Sequence, residues 1–348
     1  MAGSIRSRSI DVLRAVAVLL VMQHHFGVHR VLYENGWMGV DLFFVLSGYL
    51  VSGLLFDELA RSGDVRPGRF LVRRAFKIYP AFWVLIALTV ALAPTVSKKA
   101  LLCELAFVQN YGPGLYPHTW SLAVEEHFYL LVALAFARRR WFARLATPSA
   151  GLLAFGAGLL AILALRIATV ALVPARYKLV TLGTHVRADA LLFGVAIAWA
   201  RREATLGPWL RRLVAGRRAW LALTAMLLLV PIGVLGKAHW FTETIGFTLV
   251  YLAAGLLLLV ALDREPGDPI SRALAYLGRS SYSIYLWHIP VQALLLDRLA
   301  AAGLLPAPLA TNRAFVMLGG VVAGILSARL VEDPLLRVRE RLLRTAAR

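Results

Sequence analysis

An imidazole can take up and release a proton near neutral pH, whereas a guanidinium cannot release one and can only hold an anion. One of each stands eleven residues apart in the first apolar run, Ile10 to Val28, as Arg14 and His25. On a helix those eleven steps make three turns plus about 20° over about 16 Å, so the two side chains share a face at different depths. His24 falls about 80° off that face. A permanently charged Arg14 inside an apolar run must find an anion or water, and an ionisable residue at such a place marks function by default.

The elements that must position this pair are set by composition. The 348 residues are 59% hydrophobic with a net charge of +19, well above the apolar share of a soluble globule. An all-α, polytopic membrane bundle follows. Its basic residues cluster between apolar runs, which is the pattern of membrane orientation rather than of nucleic-acid binding. Ten helices are expected near residues 10–28, 38–57, 78–96, 119–137, 150–172, 186–200, 218–235, 243–262, 280–298 and 313–331, each close to the length that spans a bilayer. Arg6 and Arg8, the block from Arg61 to Lys77, Arg138, Arg139, Arg140 and Arg144, the run from Arg201 to Arg218, then Arg264, Arg272 and Arg279, and the residues from Arg337 onward all fall on one side. The other side holds only Arg30, Lys98, Lys99, Arg176, Lys178, Arg187, Lys237, Arg298 and Arg313. The positive-inside rule therefore puts both termini in the cytoplasm. Residues 1–335 read as a single membrane domain and 336–348 as a basic cytoplasmic tail.

With that topology, position becomes depth. Arg14 lies in the cytoplasmic half and His25 near the outer surface. Asp41, then Glu125, Glu126 and His127, then Arg187 and Asp189 fall at outer helix ends, so charged groups on four helices reach one level and are expected to face a shared polar cavity. Plainer roles compete. Arg187 and Asp189 could form an interfacial pair; Glu126 and His127 could face water; His118 and Trp120 suit an interfacial belt as well as a substrate subsite. His288, expected at mid-membrane in Tyr282-Ser-Ile-Tyr-Leu-Trp-His-Ile-Pro, reads either as a packed histidine bonded to a carbonyl across a Pro290 kink or as a site residue. Cys103 is the single cysteine and rules out an intramolecular disulfide and a thiolate metal cluster; it reads as a buried, inert thiol. The first run is long, is interrupted by Arg14 and lacks a cleavage pattern, so it is expected to remain as a membrane helix. Motifs of soluble hydrolases, P-loops and zinc proteases do not occur, and His29 with Glu34 five residues on is read as chance spacing.

The chain resembles the acyltransferase-3 family of multipass membrane O-acyltransferases. Five blocks carry the likeness: Arg14-x10-His25; Gly39-Val-Asp-Leu-Phe-Phe-Val-Leu-Ser-Gly-Tyr; Phe70-Leu-Val-Arg-Arg-Ala-Phe-Lys-Ile-Tyr-Pro; Thr119-Trp-Ser-Leu-Ala-Val-Glu-Glu-His-Phe-Tyr; and Leu277-Gly-Arg-Ser-Ser-Tyr-Ser-Ile-Tyr-Leu-Trp-His, with Glu332-Asp-Pro closing the core. Lys77 departs from the family block, which usually ends in Arg, so a planar fork becomes a point charge there. No esterase-like Gly-Asp-Ser block follows, and a fused hydrolase-like domain is not expected.

The resemblance implies acyl-CoA as donor, most simply acetyl-CoA, with no metal, in a multi-pass protein of the bacterial inner membrane. Arg69, Arg73, Arg74 and Lys77 are then the expected ligands of the donor's phosphates, Arg73 and Arg74 foremost, and Arg14 lines the path of its thioester arm. His25 is expected to act as general base on an acceptor hydroxyl, with Glu125 or Asp41 orienting its ring or holding the acceptor, and with Trp120, Arg187, Asp189 and His288 on the acceptor side. The acceptor is a hydroxyl-bearing glycan or glycosylated small molecule, and the modification is one of polysaccharide. A transporter or flippase of a small polar or lipid-linked substrate is the alternative, since polar groups at depth and Pro-interrupted helices suit transport too.

Overall fold

In the computed structural model of the protein the described residues are 7–137, 147–173, 177–263 and 265–345. Arg6, Arg138, Arg139, Arg140, Arg144, Arg176 and Arg264 of the basic pattern, with the last three residues of the tail, lie outside them. The described chain is helical throughout. Its main helices are α1 (Arg8–Phe26), α2 (Met38–Ser62), α3 (Pro67–Leu92), α4 (Trp120–Ala137), α5 (Pro148–Leu172), α6 (Thr184–Ala200), α7 (Arg218–Leu235), α8 (Phe247–Ala261), α9 (Pro269–Arg279), α10 (Ser281–Trp287), α11 (Arg313–Ser327) and α12 (Asp333–Thr345). Among the described residues, nine helices are long and apolar enough to cross a membrane.

Local chemistry sets the ends of α1. The Ser7 hydroxyl accepts from the Ile10 amide at 3.4 Å, and Gly27 closes the helix in a left-handed conformation at φ 61° that a side chain would strain. α3 starts eleven residues before the apolar run that announces it, because Pro67 at its first turn is compatible with a helix start and the Arg-rich block continues as helix. The last long helix likewise runs on past the membrane stretch: a π-type turn, Ala328–Glu332, joins α11 to α12.

One expected span is broken. The segment 280–298 forms α10, a turn at His288 and Ile289, a π-type turn Gln292–Leu296 and a short helix Asp297–Ala301. Pro290 has no amide hydrogen, so the carbonyl four residues before it, that of Leu286, is left without its helical donor.

The core lies among α1, α2, α3, α4, α6, α8 and α10. Only 11% of the span window of α5 and of α7 is buried, which leaves those two helices facing lipid. α2 and α6 make the most extensive helix pair. A Cβ on Gly48 would stand 2.0 Å from the Leu191 carbonyl oxygen and one on Gly194 2.2 Å from that of Val45, so these two glycines let the backbones touch. That contact holds Asp41 and Arg187, on facing helices, at one level.

Candidate active site

Two chambers open between the core helices. The one nearer the start of α1, inner in the expected orientation and about 120 Å³, is lined by Arg14 of α1, Ser47 of α2, Arg74 and Lys77 of α3, Glu125 and Tyr129 of α4 and Ser281, Tyr282 and Tyr285 of α10. The outer one, about 180 Å³, is lined by His24 and His25 of α1, Trp37, Trp120, Arg187, Lys237 and again Tyr285. Val40 and Tyr285 belong to both walls. Arg14 lines the first chamber and His25 the second, so the division falls along the expected path of the donor's arm. Tyr285 is fixed in the division by its hydroxyl, which donates to the His118 carbonyl at 2.7 Å and lies 2.7 Å from the Ser121 hydroxyl.

In the inner chamber the Arg14 Nε donates to Ser281 Oγ at 3.1 Å. The Tyr129 hydroxyl donates to Glu125 at 2.7 Å and lies 2.7 Å from Ser47 Oγ. Arg74 stands over the Tyr129 ring, its carbon 5.8 Å from the centroid, and its buried Nε has no hydrogen-bond partner. Lys77 forms an ion pair with Glu332, which also accepts from Ser283 at 3.1 Å. The Glu332-Asp-Pro block thus reaches the site through Lys77. Arg69 and Arg73 are half-exposed on α3 and are not among the residues lining the chamber.

Glu125 therefore lies with the cations of the inner chamber rather than beside His25. Five residues along α4 amount to about 8 Å of helix, enough to change chamber. Asp41 does not meet His25 either: its carboxylate pairs with Arg187, 2.8 Å from Nη2. Asp189 pairs with Arg166 of α5 and lines neither chamber. The interfacial pairing that competed as a plainer reading of Arg187 and Asp189 does not form, and each pairs with another helix instead. Glu126 accepts from Tyr79 at 3.0 Å, and His127 Nδ1 lies 2.7 Å from Thr184 Oγ1, so both have partners within the protein.

What does surround His25 is imidazole. Its ring centroid lies 5.3 Å from that of His24 and 5.1 Å from that of His288, and His288 lies 4.7 Å from His118. The break at Pro290 explains the arrangement. The Leu286 carbonyl orphaned by the proline accepts from His118 Nε2 at 3.1 Å, and the Tyr285 carbonyl one place earlier accepts from His288 Nδ1 at 2.5 Å. A carbonyl can only accept, so the proton sits on those nitrogens, and His118 Nδ1 and His288 Nε2 are left as buried lone pairs without partners. Burial pushes the His118 pKa down to about 3 and keeps that ring neutral. His288 is thus a packed histidine, bonded to a carbonyl before the Pro290 kink rather than across it, and it stands beside the expected base.

Three groups escaped the sequence reading. Arg166 is fully buried; an arginine deep in the apolar run 148–172 was the available signal. Glu104, in the short helix Lys98–Leu105, accepts from Thr119 Oγ1 at 2.6 Å and from the Leu115 amide at 2.9 Å, tying down the loop that leads into α4; burial raises its pKa. Lys237, counted only as a loop charge, reaches the outer chamber with its ammonium 5.5 Å from the Trp37 centroid, and burial followed by the charge of Arg187 pushes its pKa down to about 8. No group of three or more potential ligands among the described residues could hold a metal ion.

The profile of the acyltransferase domain family matches residues 7–330. The chain is 28% identical over 315 residues to the peptidoglycan O-acetyltransferase OatA of Listeria monocytogenes, covering 81% of this chain and 49% of that protein. It is 29% identical over 314 residues to YrhL of Bacillus subtilis, a candidate peptidoglycan O-acetyltransferase, over 81% of this chain and 48% of that one. A candidate O-acetyltransferase of Staphylococcus aureus is 26% identical over 317 residues, 81% of this chain and 50% of its own length. The chain spans about half the length of these curated relatives. No solved structure matches it.

Proposed function

The chain belongs to the acyltransferase domain family, and from that premise we propose that it is a multi-pass O-acyltransferase of the bacterial inner membrane. It moves an acyl group, acetyl in the simplest case, from cytoplasmic acyl-CoA to a hydroxyl of a carbohydrate acceptor on the outer side, peptidoglycan being the glycan its relatives' names supply. Both termini then lie in the cytoplasm. The carrying observation is a pair of adjoining chambers, one lined by Arg14 and Arg74 and the other by His25, with Tyr285 between them.

The donor enters from the Arg-rich end of α3. Arg69 and Arg73 at the surface attract its phosphates, while Arg74, with an uncommitted buried Nε, and Arg14 hold its polar arm in the inner chamber. The acceptor enters the outer chamber, where a ring nitrogen of His25 takes the hydroxyl proton as the oxygen attacks the thioester carbonyl. The carbon–sulfur bond breaks, the CoA thiolate leaves, and the imidazolium returns the proton to it. Carbonyl-fixed tautomers of His118 and His288 keep the imidazole cluster from rearranging. Asp41 acts by holding Arg187 at the chamber wall, and Glu125 by completing the polar lining around the donor. The family match favours this group transfer over transport.

The test uses purified protein in liposomes with acyl-labelled CoA on the side of the Arg-rich block and a glycan acceptor on the other. His25→Ala is expected to lower transfer by about 10²- to 10⁴-fold, the usual contribution of a positioned acid–base group, with thermal stability unchanged. Transfer at the wild-type rate in that variant would falsify the assignment.

A further inference from the structure

The outer chamber has more hydrogen-bond donors than the protein itself can use. Arg187 is 2% exposed and Trp37 3%, both line the chamber, and Arg187 Nε and Trp37 Nε1 are buried without a partner. Buried donors are satisfied in nearly all native structures, so two at one cavity point to a ligand that supplies acceptors. The contrast with Arg166 is instructive. There Nε donates to the Val186 carbonyl, Nη1 to the Thr244 carbonyl and Nη2 to Asp189, which is how this fold treats an arginine kept for structure alone.

Charge points the same way. His24, His25, Arg187 and Lys237 line the chamber, and no carboxylate is among its lining residues. Asp41 pairs with Arg187 and offsets one positive charge. Lys237 is left as a single net cation at the wall, half-buried and close to the Trp37 ring. The other walls are aromatic: Trp120 and Tyr285, with Arg187 itself 5.8 Å from the Trp120 centroid. Aromatic faces carry negative charge density and suit the polarised C–H face of a sugar ring.

We propose that the outer chamber is a subsite for a saccharide bearing a single-charged carboxylate, with Lys237 and the free Nε of Arg187 binding the carboxylate, Trp37 and Trp120 flanking the ring, and a hydroxyl of that sugar presented to His25. This deepens, and rests on, the reading of the chain as an acyltransferase with its acceptor on this side. One net positive charge matches a carboxylate; a phosphate dianion would remain half uncompensated. Lys237 touches no reacting atom in this scheme and selects the acceptor.

The experiment measures binding by calorimetry on the full chain in nanodiscs, without donor. Three disaccharide probes differ only at the terminal ring: glucuronic acid, glucose and glucose 6-phosphate. Wild-type protein is expected to bind the glucuronic-acid probe at least about ten-fold more tightly than the glucose probe, a difference of about 1.4 kcal/mol. Lys237→Gln is expected to erase that preference while leaving the unfolding temperature and the affinity for the glucose probe in place. Equal binding of all three probes overturns the subsite, and preference for the phosphate over the carboxylate overturns its assignment to a carboxylate. A carboxylate preference that persists in Lys237→Gln overturns the role of that lysine. Because no donor is present, failure of acyl transfer in the liposome assay leaves this result standing, and the reverse holds as well.

Discussion

The same side-chain type does two different things beside one ring in this bundle, the guanidinium carbons of Arg166 and Arg187 lying 5.5 Å and 3.9 Å from the Phe247 centroid. Arg166 spends its guanidinium on two carbonyls and Asp189 and is fully buried, whereas Arg187 keeps a buried Nε without a partner. Removing one partner of a buried ion pair leaves the other charge uncompensated, at roughly 3–5 kcal/mol. Arg166→Met is therefore expected to destabilise the protein by about that much, and adding Asp189→Leu to recover most of the loss; thermal unfolding in detergent reads both, and an Arg166→Met protein as stable as wild type would contradict the pairing. The sequence named Asp41, Arg187 and Asp189 as charges that must face something. It could not say what they face, because spacing along a chain relates residues within one helix, while each of these pairs joins two different helices, 23 residues apart for Arg166 and Asp189 and 146 apart for Asp41 and Arg187. Spacing could relate His25 to Arg14 on its own helix, but not to His288 and His118, which the sequence offered only as separate candidates.

Element by element, the apolar runs foretold the helices well, since a bilayer admits little else. Where helices extend beyond those runs, as at the start of α3 and past Ser327, polar helix carries no hydropathy signal, and those ends were missed. Pro290 did announce a kink. Its larger effect, a carbonyl freed for His118, depends on which loop packs there and is invisible in one segment. The glycines show the same limit: Gly48 and Gly194 look like any others in an apolar run, yet they set the distance between α2 and α6. Gly194→Val should push the Val45 carbonyl away and misalign Asp41 with Arg187, losing at least the roughly 1–3 kcal/mol of overpacking together with transfer activity. Gly156→Val on lipid-facing α5, where an added Cβ meets nothing within 4 Å, is the control and should leave activity intact. Equal behaviour of the two variants in unfolding and activity assays would refute a spacing role for Gly194.

At the scale of the whole molecule, composition and loop charge were enough to give a polytopic bundle, and depth reasoning gathered its charges to one end. That reasoning merged two chambers into one layer, because 1.5 Å per residue locates a side chain along the membrane normal but not sideways. In the proposed transfer the division separates a charged, water-sensitive thioester from its acceptor. Tyr285 stands on the boundary with its hydroxyl engaged by Ser121 and the His118 carbonyl, and Tyr285→Phe would drop both bonds at little change in shape. That variant is expected to hydrolyse donor faster relative to transfer, measured as free CoA released without acylated product; an unchanged ratio would count against the role. In the proposed scheme the tyrosine would serve as the inner door of an airlock, holding outside solvent away from the activated acyl group and sparing the cell idle turnover of thioester until a sugar arrives.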